Sequence, residues 1–474
     1  MTSEKTKSGA QWGKHESWRI MKNVLVISVA FMVFYTAFNG AVNLQSSIHN
    51  EAGLGMAPLA AMYGGVLFSS FFLPIVIIKW LDTKWTIPFC MVAFMPYIAA
   101  QLFPSFYTLV PAGILAGLGS APLWCSMCTY IATVSEAHSK MSKVSADALL
   151  ARHLGQFYMV FHINQVWGNI ISSVVISTGG NKAAVTHMNA TLIPELCGAN
   201  FLPSADAGKA LQEQPPQKIQ TLAGIFLACM VGAIIIVAIG VDSPKRYKTD
   251  RNSKSNASGL ALLAVTMKLL IEPNQLLLLV ISIFIGLQQG FVTADVTVAF
   301  VSCAIGPGTV GYVMMAHGLA DAFGCAVTGL LAKLIGRVRL ICCAVCVNTA
   351  LYVTMLSWRP HLEEEFVVYV IAIVAGVCNS VWLVQINAYY GSLFPGREEP
   401  AFATFRLFES IGFIITFSIS PYLRTSSKVY LLFCTMVLGS IGYFIVEYRQ
   451  RRVKQMYAVT KGTAKGCDNK AFNM

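Results

Sequence analysis

The chain reads as an all-α polytopic membrane protein, twelve transmembrane helices folded as two six-helix bundles. Three observations predict this. Hydrophobic residues make up 55% of the chain and charged residues only 12%, against roughly a quarter charged in ordinary soluble domains. Apolar runs of about 20 residues, the length that crosses a bilayer, recur from end to end, and 474 residues leave room for about twelve of them. A weak internal repeat flanks a central polar hinge, the symmetry expected of a transporter scaffold.

The first 22 residues are polar and basic and form a tail. The run after them, Val24 to Val42, lacks a small-residue cleavage site, so it is expected to be a retained span with the amino terminus in the cytosol. Sliding hydropathy then places spans near 23–43, 58–79, 86–104, 108–134, 153–177 and 219–241, with a long outer loop at 178–218. The segment 242–273 opens Ser- and Lys-rich and becomes amphipathic from Leu260 to Ile271, which predicts a cytosolic linker ending in a helix on the membrane surface. A second bundle, 274–447, holds spans near 275–300, 309–333, 338–358, 366–393, 401–423 and 428–447, and 448–474 is a basic tail.

The charge of +12 belongs to the loops. Of the 34 Lys and Arg, 28 fall in segments this topology assigns to the cytosol and six outside, which puts both termini in the cytosol by the positive-inside rule. The outer loop contains the sequon Asn189-Ala-Thr191 and the linker contains Asn256-Ala-Ser258, so a glycan is expected on Asn189 only. The tail cluster Tyr448-Arg-Gln-Arg-Arg-Val-Lys454 suits an anionic leaflet, each charge worth about 1 kcal/mol there. Nucleic acid is not an expected partner, because no folded basic surface lies beyond the membrane.

Most of the 13 cysteines fall within spans, where they act as small apolar residues. Cys343 and Cys346 form a CxxC, but inside a span beside Cys342, a poor setting for redox or zinc chemistry. Only Cys197 and Cys303 fall on the outer side of the membrane, and their spacing leaves open whether they are joined. No nucleophile elbow, phosphate loop or metal-ligand cluster is visible, so an enzyme is not expected, nor a cofactor.

The two halves match at a steady offset. Gly40 pairs with Gly290, Lys79 with Lys333, Arg152 with Arg406, and Ala116-Gly117 before Trp124 with Ala375-Gly376 before Trp382. Gly329-x-Leu-Ala-x-x-x-Gly336-Arg337 is similar to the loop signature of the major facilitator superfamily, with Lys333 where that signature has Asp. The loop Lys79-Trp-Leu-Asp-Thr-Lys84 is a weaker copy, with Asp82 in place of Gly. Lys79, Asp82, Lys333, Gly336 and Arg337 are thus the candidate gating-loop residues.

A narrower resemblance covers nearly the whole chain. Asn43-Leu-Gln-Ser-Ser47, Gly53-Leu-Gly55, Tyr63-Gly-Gly65, Ala121-Pro-Leu-Trp-Cys-Ser126, Val166-Trp-Gly-Asn-Ile-Ile-Ser-Ser173, Gly286-Leu-Gln-Gln-Gly-Phe291 and Ala401-Phe-Ala-x-Phe-Arg-Leu-x-Glu409 resemble the Unc-ninety-three family, its A-type homologues in particular. The resemblance implies a non-enzymatic accessory subunit, in the first instance of a potassium channel, and as an alternative a trafficking escort for membrane receptors. Membrane lipid and a membrane-protein partner are expected on either reading, and the plasma membrane rather than endosome or ER.

The superfamily likeness also implies a central cavity lined by spans 1, 4, 7 and 10. These spans are polar but uncharged at mid-depth: Asn39, Asn43 and Gln45; Ser126 and Thr129; Gln288 and Gln289; Asn379, Gln385 and Asn387. Asp295 is their sole acid, near the outer end of span 7. Such amides hydrogen-bond across helices for roughly a kcal/mol each, or line a site for a small neutral or organic solute, which keeps a facilitative transporter as the second reading. Span 8 carries His317 and Asp321 at i,i+4, one face of one helix, a candidate proton-sensitive latch with a buried structural pair as its rival. Span 5 carries the polar stripe His162, Gln165, Asn169 and Ser173. Arg406 and Glu409 at i,i+3 are expected to pair near one end of span 11 as anchors, and Gly113-x-x-x-Gly117 and Gly286-x-x-x-Gly290 permit close helix approach.

Overall fold

A computed structural model describes residues 14–48, 57–71, 73–142, 144–177, 193–202, 216–247, 267–305, 309–361, 364–420 and 422–471. Among them the chain is helical and has no strand. Fourteen helices carry the fold: α1 (Lys14–Ile48), α2 (Ala57–Ser70), α3 (Leu73–Val92), α4 (Met95–Ala100), α5 (Phe106–Met141), α6 (Ala146–His162), α7 (Asn164–Ser177), α8 (Pro216–Gly240), α9 (Pro273–Ile305), α10 (Val310–Leu334), α11 (Arg337–Ser357), α12 (Glu365–Leu393), α13 (Glu398–Ile419) and α14 (Thr425–Ala471).

Nine of these helices are long and apolar enough to cross a membrane, up to ten if the bent α2–α4 stretch is one span. The expected second and third spans fall in α2 to α4, which turn back at Asp82 inside α3. The expected fifth falls in α6 and α7, broken at Ile163. The basic tail prolongs α14, and of the expected interfacial helix only the turn 267–270 lies in the described residues.

Burial sorts the helices into centre and rim. The apolar window of α1 is 67% buried, whereas that of α8, the most apolar, is 33% buried. A helix apolar all round belongs against lipid. The expected cavity spans, α1, α5, α9 and α12, are therefore the interior of the molecule.

The repeat is visible in paired geometry. Trp124 and Trp382, one in each half, both meet a phenylalanine of the neighbouring span edge-on, Phe31 at 5.5 Å and Phe284 at 5.4 Å. A Cβ on Gly117 would strike the carbonyl of Met62, and one on Gly376 the carbonyl of His317. The two GxxxG runs serve packing within the chain: Gly113 and Gly117 against α2, Gly286 and Gly290 against α13.

Two faces can be told apart. On the basic face, Arg19 and Lys22 of α1 reach Asp242 beyond α8, and Ser17 hydrogen-bonds His138 of α5, whose ring stacks on His153 of α6. On the opposite face Cys197 and Cys303 form a disulfide. The segment carrying Cys197 belongs in sequence to the first half but is seated on the second: Gly198 lies against Pro360, and the Phe201 carbonyl accepts from Thr425 N at 3.0 Å.

Candidate functional site

The halves meet along two seams, α2 and α5 against α13, and α6 and α7 against α10 and α12. Where α2 faces α13 the contact is aromatic, Tyr63 stacking on Phe413 at 5.2 Å and lying 5.4 Å from Phe417. Where α6 and α7 face α10 it is closer. Gly155 of α6 lies against Gly329 and the Cys325 carbonyl, and Gly318 against His162 and Gln165. The polar stripe on span 5 thus runs along α10 from His162 past Asn169, which sits beside Gly311; the side chain of Ser173 lies outside the described residues.

Asp321 is the centre of this second interface. Its carboxylate accepts from Asn379 Nδ2 of α12 at 2.7 Å and from the Cys325 thiol at 3.5 Å, and lies 3.3 Å from His162 Nδ1. His317 faces elsewhere. Its Nδ1 is 2.9 Å from the Ala372 carbonyl, so the imidazole that meets Asp321 comes from the other half of the molecule. The i,i+4 spacing gives the shared side of α10, but His317 bonds to α12 alone, whereas Asp321 is met by both α12 and α6.

Arg406 and Glu409 lie deeper than helix-end anchors. Both are buried and ion-paired within α13. The guanidinium stacks over Trp124 at 4.7 Å and approaches the Tyr158 hydroxyl at 3.3 Å, while Gln289 donates to Glu409 at 3.4 Å. Trp124 itself sits among Phe31, Tyr35 and Phe161 with ring centres 5.2 to 5.5 Å apart. An aromatic bowl from α1, α5 and α6 therefore receives a cation from α13. The sequence signal for it was Trp124 inside a span expected to line a cavity.

The amides of the interior are mostly bonded to protein. Asn39 donates to Asn164 at 2.7 Å, Gln288 to Asn348 at 3.3 Å, and Asn387 to the Leu383 carbonyl at 2.8 Å while the Cys128 thiol donates to its Oδ1. Gln385 is fully buried with neither amide atom partnered, and the hydroxyls of Ser126 and Thr129 are likewise unpartnered. Asn43 and Gln45 lie on α1, but their side chains, like Asn189, lie outside the described residues. Asp295 sits where α9 winds as a π-helix over Val292–Ser302, paired with Lys428 at 2.5 Å and accepting from Ser420 at 2.7 Å.

At the candidate gating loops, Lys79 and Lys333 are both exposed. Gly336 turns with φ 81° and ψ 157°, and Asp82 with φ 66° and ψ 158°. Arg337 stacks over Tyr389 at 4.7 Å and reaches Ser392.

This arrangement of helices is that of the major facilitator superfamily of transporters. The superfamily transporter FucP in its outward conformation superposes with a TM-score of 0.64 over 91% of this chain and 99% of its own, at 10% sequence identity, a likeness of fold alone. The narrower relationship comes from sequence. The family described as "Ion channel regulatory protein UNC-93" matches residues 45–444. "Protein unc-93 homolog A" of Xenopus laevis is 34% identical over 433 residues, 90% of this chain and 93% of that protein. "Putative potassium channel regulatory protein unc-93" of Caenorhabditis elegans is 30% identical over 436 residues, 90% of this chain and 61% of that protein. The chain belongs to the UNC-93 family.

Proposed function

We infer that the protein is a non-enzymatic regulatory subunit that modulates a membrane channel, in the first instance a potassium channel. The observation that carries this is the chain-long match to a family of ion channel regulatory proteins, with the name of the nematode relative supplying the ion. The interior is consistent with it: an aromatic bowl closed by Arg406 fills the place between the halves where a carrier would hold solute. The same reading has both termini in the cytosol, the protein in the plasma membrane and a glycan on Asn189, supported by the distribution of Lys and Arg and by the sequon. Anionic lipid is a further partner, at the cleft of about 500 Å³ that Ile441, Phe444, Tyr448, Arg449 and Arg452 line on the flank of α14.

A facilitative transporter is the second reading, favoured by one observation: the Arg406–Glu409 pair with Gln289 and Tyr158 is a buried polar group where the halves meet. Two assays on one preparation separate the readings. A regulatory subunit co-purifies with a co-expressed two-pore-domain potassium channel and shows no saturable solute uptake in vesicles. Uptake without any channel association overturns the proposal. A trafficking escort would differ only in its partner, recovering a receptor in place of a channel.

A further inference from the structure

Three carboxylates are buried in the described interior: Asp295, Asp321 and Glu409. Asp295 is neutralised by Lys428 and Glu409 by Arg406, each at 2.5 Å. Asp321, 1% exposed, has no lysine or arginine beside it; its neighbours are an imidazole, a thiol and an amide. A carboxylate kept ionised in a low-dielectric interior needs a compensating positive charge, and without one it takes up a proton.

The neighbours have the composition of a metal site. His162 nitrogen, an Asp321 oxygen and the Cys325 sulfur all lie within 4.8 Å of one another, and all three residues are buried. His162 presents Nδ1 to Asp321, and its Nε2 is a buried polar atom with no hydrogen-bond partner. The fold does not require these donors. At the matching α2–α13 interface the halves meet instead through the stacked rings of Tyr63 and Phe413.

We propose that His162, Asp321 and Cys325 bind a borderline divalent cation, Zn²⁺ in the first instance, as a staple between the two halves. Imidazole, carboxylate and thiolate are the ligands such an ion takes in tetrahedral geometry, with bonds of about 2.0 to 2.3 Å. Binding displaces the Cys325 thiol proton to solvent, and the thiolate and carboxylate together carry two negative charges against the ion's two positive ones. The site is then neutral in the membrane interior. Asn379, already bonded to Asp321, orients the carboxylate or, with its amide turned, supplies its oxygen as the fourth ligand. Because His162 is on α6 and the other donors are on α10, the ion is gained or lost only when these helices part, and its presence holds them together. This site is independent of the identity of any channel partner.

The test uses full-length protein, purified without a histidine tag, with Cys342, Cys343, Cys346, Cys434 and Cys467 replaced by Ser to remove the exposed and tail thiols. After chelation and reloading with Zn²⁺ or Co²⁺, metal is counted by mass spectrometry and the Co²⁺ form is read for a thiolate-to-cobalt charge-transfer band. One equivalent of metal is expected, with the band and a raised Tm on reloading. Cys325→Ser should abolish the band, and His162→Ala and Cys325→Ser should each weaken binding at least tenfold. Asn379→Ala, acting through Asp321, should weaken it about 10- to 100-fold. Cys325→Ser is nearly isosteric, and its elution as a single species shows that a lost band reports the ligand and not the fold. Absence of retained metal in the parent, or metal and band unchanged in both ligand variants, overturns the proposal.

Discussion

Asp82 and Gly336 hold the same turn in the two halves of the molecule, with φ of 66° and 81° and ψ of 158° and 157°. Lys79 and Lys333 precede each by the same three residues. This region of backbone space is nearly exclusive to glycine and costs another residue about 1–3 kcal/mol. Asp82 offsets part of that cost, its own side chain accepting from Thr83 N at 2.9 Å. Gly336→Ala should therefore lower stability by about 1–3 kcal/mol, while Asp82→Gly should be neutral or stabilising. Melting of both variants in detergent checks this; an unaltered Gly336→Ala would show that the loop is not held in this turn.

Arg406 and Glu409 should behave as one unit. Glu409→Gln leaves a buried guanidinium without a counter-charge, which costs about 3–5 kcal/mol, whereas replacing both residues by Met should recover most of that loss. A double-mutant cycle on Tm measures the coupling. Additive losses would place the pair in solvent rather than in the interior.

Cys197 and Cys303 close a loop of 106 residues and fasten a segment of the first half onto the second. A crosslink of that span constrains the unfolded chain by about 4–5 kcal/mol. Cys197→Ser, or reduction of the wild type, should lower Tm, and the two treatments together should do no more than either alone. A non-reducing digest should yield the joined peptides. The same digest reads the orientation, which calls for a glycan on Asn189 and an unmodified Asn256.

Gly155 should control access between the halves on the basic face. A Cβ there meets the Cys325 carbonyl and Gly329, with backbone on both sides. Gly155→Leu should force α6 from α10 and make Cys325, fully buried in the wild type, alkylatable by a water-soluble maleimide. Continued protection of Cys325 would mean that these helices are not in contact.

Much of the fold could be read from the sequence because membrane spans are announced by composition and the repeat by single residues. Asp82 was recognisable as a glycine position because Lys79 and Lys333 fixed the register. The partners were not legible in the same way. Helical spacing places His317 and Asp321 on one side of α10, yet it contains nothing about α6 and α12, which supply His162 and Asn379. Arg406 looked like a helix-end residue because its repeat mate, Arg152, is one, exposed near the start of α6; what buries Arg406 is Trp124, 282 positions away and on another helix. The outer cysteines were identified as the two in outer loops, and only the seating of Gly198 and Phe201 on the second half shows why they meet.

The most direct measurement is current through a two-pore-domain potassium channel, recorded with and without this chain at equal surface density of the channel. A regulatory subunit changes the current per channel, and the change is lost in Glu409→Gln, which disrupts the junction of the halves, and retained in the double Met variant. Unaltered current across the channels tested, together with saturable solute uptake by the same protein in vesicles, contradicts a regulatory role.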